Sequence, residues 1–425
     1  MAKLTIRGGQ PLQGSVKVGG RKNSTLALIA ATMLTDGVSC LENVPDIHDV
    51  LTYRDILVGL GAKVDLDSAR GRMEVRTENV TPAEVPYHLA SAMRASYYLL
   101  GVMLARYGEA DIPLPGGDKI GQRPVDQHFK GLSALGAEVW MDRGIMRART
   151  KGLVGATVYL DMVSVGATIQ VMMAASLAEG TTVIHNCAHE PHVVDVASFI
   201  NAAGGHVTGA GTDTIRIKGV KRLAGPTHSI IPDDIEAGTW MIAAMMTQGD
   251  IKLQNVIPTH VMPIVAKLRE AGAEVIENGD TLRVIGHERP NAITLKTLPY
   301  PGFPTDAQSQ MTAMLALAQG TSYVTETLYD DRFRFVSELV RMGAKIRVEG
   351  HTAVIEGVEK LYGAPVEATD IRAGAALILA GLAAEGETIV YGLEHVERGY
   401  ERLEAKLRGL GAGIWVSERK EASVS

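Results

Sequence analysis

An α/β fold of two lobes follows from three features of the chain: a sixfold internal repeat, small-residue helices alternating with β-branched strands, and an amino-terminal segment that matches the repeat's closing strand. The repeat is clearest at helix ends, where LVGLGAKV, LSALGAEV, INAAGGHV, LREAGAEV, LVRMGAKI and LRGLGAGI share one pattern. Their glycines, Gly61, Gly136, Gly204, Gly272, Gly343 and Gly411, recur about every 70 residues, too long for the common solenoid units and suited to a small α/β module.

Each copy opens with a helix of small apolar residues closed by a glycine turn, as in LALIAATMLTDG and LAGLAAEG. A β-branched strand follows, such as TTVIHN or SYVTET, and then a second helix whose shared glycine suits a left-handed cap. Two short strands close the unit; in EVIENGDTLRVIG the Asn-Gly-Asp run is a hairpin signal. The sixth copy stops before its last strand, and KLTIRGGQPLQGSVKV at the other end of the chain has the missing pattern. The amino-terminal strand is therefore expected in the sheets of the carboxy-terminal copies. The lobes become 21–229 for copies one to three, and 1–20 plus 230–425 for copies four to six. Two chain crossings join them, a hinge geometry with a ligand cleft between lobes.

Composition sets the function classes. At 425 residues the chain exceeds the usual single-domain size, and with aromatics at 5% the cores are aliphatic. A net charge of −6 with no basic block argues against nucleic acid as a partner. The amino terminus lacks a signal pattern and the apolar run 373–384 is too short for a bilayer, so a soluble cytoplasmic protein with no membrane partner is expected. Two cysteines, Cys40 and Cys187, provide neither a disulfide framework nor a cysteine metal site. The histidines, including His48, His128, His189 and His192, have no metal-ligand spacing and read as surface or supporting groups, and no phosphate-loop or dinucleotide fingerprint is present.

The second copy is the irregular one. From Gly108 to Gly136 it runs 28 residues (136 − 108), against 24 (61 − 37) in the first copy, and the excess falls in PLPGGDKIGQRPVD, residues 113–126. A Gly/Pro cluster is commonly a plain long turn, but an insertion into one copy of a regular repeat marks a binding face.

Polar residues break the apolar texture at two recurring places. At the start of the first helix stand Lys22-Asn23, Arg94, Ser164 to Thr168, Asp233-Asp234, Thr305-Asp306 and Asp370 to Arg372. Before the second helix stand Asp49, the loop through Arg123, Glu190, Arg332 and Arg398. Both places are helix amino termini, which favour anions. Asp49 and Asp233 are expected to be helix caps. The cations oppose the helix dipole at a cost of about 0.3 to 1 kcal/mol each, so Lys22, Arg94, Arg123, Arg332, Arg372 and Arg398 together point to a multiply charged anion, against the alternative of independent solvated cations.

VGGRKNSTLALIAATML, the run from SAMRASYY through PLPGGDKIGQRPVDQHF to LSALGAEV, SVGAT, FPTDAQSQ, TETLYDDRF, ATDIRAGAALILAGL and RGYERLEAKLRGLGA resemble, end to end, the UDP-N-acetylglucosamine 1-carboxyvinyltransferases of the enolpyruvyl transferase family. The resemblance implies a two-lobed inside-out α/β barrel with three repeats per lobe. It implies transfer of the enolpyruvyl group of phosphoenolpyruvate to the 3-hydroxyl of UDP-N-acetylglucosamine, with release of phosphate, in peptidoglycan synthesis. No cofactor and no metal are implied. Carried over by motif, Asp306 is the base and Asp118, on a mobile catalytic loop 113–124, is the acid, with Lys22 and Arg398 also catalytic. Lys22, Arg94, Arg123, Arg332, Arg372 and Arg398 would bind phosphate and carboxylate. Asn23, Arg123, Pro124, Val125, Asp126, Gln127, Ser164, Val165, Gly166 and Leu328, alongside Asp306, would hold the nucleotide sugar. This chain departs from the pattern at three places: Asp118 stands where many members carry cysteine, Asp234 where arginine is often found, and Met162 where lysine occurs in some.

Overall fold

The six shared glycines all lie at positive φ, between 88° and 101°, where a side chain would be strained. The computed structural model describes residues 2–118, 120, 121 and 124–418. The helices His48–Gly59, Asp126–Ala134, Pro191–Ala202, Pro258–Glu270, Val336–Arg341 and Leu403–Gly409 each end two residues before one of these glycines. Every one closes with the same backbone bond: Ala62 N–H to Leu57 C=O at 3.0 Å, and likewise Ala137 to Leu132, Gly205 to Ile200, Ala273 to Leu268, Ala344 to Leu339 and Ala412 to Leu407. This six-to-one closure turns the chain sharply into the next strand.

The chain divides into two units: Met1–Gly19, Lys119–Gln122 and Pro232–Ser425 form one, Gly20–Asp118 and Arg123–Ile231 the other. The main divisions fall at 19/20 and 231/232.

In the unit built on residues 20–231, the helices Lys22–Thr32, Tyr98–Tyr107 and Val165–Ala175 occupy the interior. In the other unit this place is taken by Asp234–Met246, Gln308–Leu315 and Ile371–Ala383. A helix that is apolar all round has no wet face, and Leu26 to Ala31 are buried without a break. The sheets lie outside. Their strands alternate, as in Thr181–His185, where Thr182 and Ile184 face inward and Thr181 is exposed. Helices inside and sheets outside are the expected arrangement.

Among the described residues each unit has three principal sheets. The strand Ala2–Arg7 runs antiparallel to Glu387–Tyr391 and to Gly413–Glu418, with Leu4 opposite both Val390 and Val416, so the amino terminus supplies the strand that the sixth copy lacks. Gln13–Lys17 then pairs in parallel with Asp250–Gln254 of the fourth copy. Such a parallel strand recurs in the other four-stranded sheets, but Glu109–Pro113, Ile145–Arg149 and Glu138–Asp142 of the second copy form a sheet of three. The second copy is irregular at its helix too: Tyr87–Ala90 and a 3-10 turn, Arg94–Tyr97, precede Tyr98–Tyr107. No helix among the described residues is long and apolar enough to cross a membrane.

Candidate active site

In the unit that begins at Gly20, Lys22 is the first residue of its helix and is buried. Its ammonium sits 2.8 Å from the carboxylate of Asp49, which offsets the helix dipole acting on the cation. Asp49 therefore does not cap its own helix, contrary to expectation: the cap position is Ile47, without a side-chain bond, and the carboxylate is drawn to Lys22 instead. Asn23, next along, is exposed.

Arg94 opens the 3-10 turn, with its guanidinium 5.4 Å from the Tyr97 ring centre. The loop after Glu109–Pro113 runs against this turn. A Cβ on Gly116 would stand 1.6 Å from the Ser91 carbonyl and one on Gly117 3.3 Å from Arg94, so only glycines admit the approach. Asp118 follows directly and is half-buried. Arg123 lies outside the described residues.

Pro124 and Asp126 are exposed and Val125 is half-buried, at the start of the helix Asp126–Ala134. Gln127 is buried and donates to Asp126 at 2.8 Å and Asp161 at 3.2 Å, while its own Oε1 accepts from the Asp161 N–H at 2.8 Å. Lys130, at 2.5 Å, holds the Asp161 carboxyl below its ordinary pKa, with Gln127 adding to the effect. This fixes the run that leads into Ser164, whose hydroxyl caps the helix Val165–Ala175 by accepting from Ala167 N–H. At Gly166 a Cβ would meet the Tyr97 hydroxyl at 2.5 Å and His128 Cε1 at 2.9 Å. His128 is buried, not at the surface, and hydrogen-bonds through Nδ1 to Gln170 Oε1. Burial lowers its pKa to about 4, with Arg94 adding to the effect against the opposing bond to Gln170, so the ring is neutral at pH 7. Ser164, Gly166, Tyr97, His128 and Arg94 thus gather at one end of the buried helices. Met162 beside them is 56% exposed.

The unit that holds both termini carries Asp306 in a 3-10 turn, Thr305–Ala307. Arg332 Nη2 donates to Oδ1 at 2.7 Å and Arg372 Nη2 to Oδ2 at 3.0 Å. Arg372 sits at the start of its helix, beneath the cap that Asp370 supplies to the N–H groups of Arg372 and Ala373. Burial alone would lower the Arg372 pKa, but Asp306, Tyr400 and Asp233 more than reverse it. Asp233 is a helix cap as expected, accepting from Ile235 and Glu236 N–H at 2.9 Å each. Asp234 beside it is buried, Leu328 is 40% exposed, and Arg398 is half-buried in the segment before Leu403–Gly409.

Among the residues not singled out in the sequence are Glu326, whose carboxylate accepts from Thr305 beside Asp306 in one unit, and Gln170, bonded to His128 in the other. For Glu326 the signal was there: strand alternation after Ser322 and Val324 turns the next residue of that parity, Glu326, inward. For Gln170, inside an all-apolar helix pattern, the signal was only its polarity. Among the described residues no group of three or more His, Cys, Asp or Glu is arranged to hold a metal.

Residues 6–407 match the family model of EPSP synthase (3-phosphoshikimate 1-carboxyvinyltransferase). The chain is 74% identical to UDP-N-acetylglucosamine 1-carboxyvinyltransferase 3 of Symbiobacterium thermophilum, covering 100% of both chains. It is 50% identical to UDP-N-acetylglucosamine 1-carboxyvinyltransferase 2 of Bacillus subtilis over 98% of this chain and 96% of the relative. Among solved structures it is similar to the enolpyruvyl transferase NikO from Streptomyces tendae, with a TM-score of 0.88 at 25% identity over 98% of this chain and 99% of that one. With the repeat architecture and the polar residues at the helix starts, these likenesses carry one conclusion: the chain belongs to the EPSP synthase family of enolpyruvyl transferases, and within it to the UDP-N-acetylglucosamine 1-carboxyvinyltransferases.

Proposed function

We propose that the protein transfers the enolpyruvyl group of phosphoenolpyruvate to the 3-hydroxyl of UDP-N-acetylglucosamine, releasing phosphate, as the first committed step of peptidoglycan precursor synthesis. The observation that carries this reading is the 74% identity to a relative of that name over the whole chain. Both substrates are charged metabolites that a bilayer excludes, and the reading includes a cytoplasmic location.

The reaction needs a proton at C3 of the enol and a base at the sugar hydroxyl. Asp118 donates to C3, Asp306 takes the hydroxyl proton, and the sugar oxygen bonds to C2. The tetrahedral adduct then loses phosphate from C2 and a proton from C3, which restores the double bond. Lys22, Arg94, Arg123, Arg332, Arg372 and Arg398 bind the phosphate and carboxylate of phosphoenolpyruvate and stabilise charge as it develops. Asn23, the run from Arg123 to Gln127, Ser164, Val165, Gly166 and Leu328 hold the nucleotide sugar. What supports the role of Asp306 is its geometry: two guanidiniums orient a carboxylate that is itself 29% exposed, while the side chains of Arg332 and Arg372 are only 2% and 6% exposed. A base so held is reachable and preorganised.

Phosphate release measured with phosphoenolpyruvate and a panel of uridine nucleotides tests the reading. Release with UDP-N-acetylglucosamine is expected; release only with another nucleotide would assign the chain a different acceptor, and none with any would remove the activity.

A further inference from the structure

Glu326 is the first residue past the strand Thr321–Thr325 and is 1% exposed. Its carboxylate takes four hydrogen bonds. Oε1 accepts from Thr297 Oγ1 at 2.9 Å, Leu328 N–H at 2.8 Å and Tyr329 N–H at 3.3 Å, and Oε2 accepts from Thr305 Oγ1 at 2.8 Å. Among the described residues no cation pairs with it. A buried carboxylate without a cation is costly, and donors at about four lone-pair positions are what offset the loss of water.

The four donors come from three separate segments, at Thr297, at Thr305 and at Leu328 to Tyr329. Thr297 directly follows the edge strand Thr294–Lys296 and is tied a second time, its hydroxyl accepting from Thr327 N–H at 3.0 Å and its carbonyl from Thr327 Oγ1 at 2.6 Å. Thr305 precedes Asp306 in the same 3-10 turn. Leu328 and Tyr329 begin the loop that reaches Arg332, and Arg332 returns to the turn through the Thr305 carbonyl at 3.3 Å and Asp306 at 2.7 Å. The carboxylate and the Arg332 guanidinium therefore grip one turn from two sides. Packing alone asks only for an apolar side chain here, which would leave two N–H groups and two hydroxyls without acceptors.

We infer that Glu326 is a positioning residue for the transfer: it sets the turn carrying Asp306 against the loop carrying Leu328 and Arg332. The inference rests on Asp306 acting as the base. A base displaced by a fraction of an ångström from the sugar hydroxyl loses rate while substrate binding is retained, so the signature lies in kcat more than in KM.

Thr305→Val, Thr305→Ser, Glu326→Gln and Asp306→Asn separate the possibilities in steady-state phosphate release and thermal unfolding. Thr305→Val removes one bond and keeps the shape. It is expected to lower kcat about tenfold, hold KM for UDP-N-acetylglucosamine within about twofold and leave Tm within a few degrees, while Thr305→Ser restores kcat to within about threefold. Glu326→Gln keeps an acceptor for Thr297, Leu328 and Tyr329 but turns an amide toward Thr305, and is expected between Thr305→Val and the parent. An inactive Asp306→Asn together with unchanged kcat in Thr305→Val overturns this inference alone. An active Asp306→Asn overturns the base assignment and this inference with it.

Discussion

Arg332 donates a 2.7 Å hydrogen bond to Asp306, and the two are unequal partners: the arginine side chain is 2% exposed and the carboxylate 29%. With Arg372 on the other oxygen, one anion joins two buried cations that would otherwise repel each other. Removing the anion leaves two guanidiniums facing each other. Asp306→Ala is therefore expected to lose stability by roughly 1 to 2 kcal/mol, less than for a fully buried pair because solvent reaches the carboxylate. Inorganic phosphate should raise the Tm of Asp306→Ala more than that of the parent, by occupying the place of the carboxylate. Equal phosphate effects on both proteins would count against an anion site made by these arginines.

Asp118 follows two glycines packed on Ser91 and Arg94, and that packing sets the backbone leading into it. Asp118→Asn should keep the loop and the affinity for UDP-N-acetylglucosamine yet lower turnover by about a hundredfold or more, because an amide has no proton to give at C3. Calorimetric binding and single-turnover phosphate release measure the two effects separately. Turnover near the parent rate would move the acid to another residue.

Resistance to epoxide alkylation follows from the same position. A carboxylate is a far weaker nucleophile toward an epoxide than a thiolate. Cys40 and Cys187 are both buried, and burial pushes the Cys187 thiol up to about 11. Incubation with the epoxide fosfomycin and UDP-N-acetylglucosamine is expected to leave activity intact and add no mass, whereas Asp118→Cys should gain both labelling and sensitivity. Time-dependent inactivation of the parent, with the adduct mapped to residues 113–126, would contradict this assignment of the loop.

His128 gives a pH dependence whose sign can be worked out. Burial holds its pKa in the fold at about 4, below the ordinary imidazole value of 6.5, so the unfolded chain binds the extra proton more readily. The stability contributed by the neutral ring is fully present above the unfolded pKa and is lost as pH falls through the folded one. By linkage this amounts to at most about 3 kcal/mol between pH 6.5 and 4. The Tm advantage of the parent over His128→Gln should narrow across that window. A gap independent of pH would mean that the ring binds its proton equally in the folded and unfolded chain.

Much of the architecture was legible because its signals are local. A glycine two residues past a helix end needs only its own φ, and the run through Leu26 and Leu28 to Ala31 declares a buried helix without reference to any partner. Even the long-range placement of Ala2–Arg7 could be read, since a repeat that lacks its last strand at one end and carries a spare at the other has one economical closure. The charged residues at helix starts were legible as a class for the same reason: a lysine or arginine at a helix amino terminus contradicts a local preference.

Which charge meets which was decided only by the tertiary structure. Asp49 fits a helix cap as well as an ion-pair partner by sequence, and the buried ammonium of Lys22, from another helix, chose between them. Asp306, Arg332 and Arg372 come from three separate segments, and the packing of their unit brings both guanidiniums within 3.0 Å of the Asp306 carboxylate. His128 read as a surface or a supporting group by sequence, and Gln170 and Tyr97, packed against its ring, chose the second. The physical reason is common to all three: the cost of burying a polar group is set by the partners that remain after water is excluded, and those partners come from segments whose separation along the chain carries no information about their separation in space.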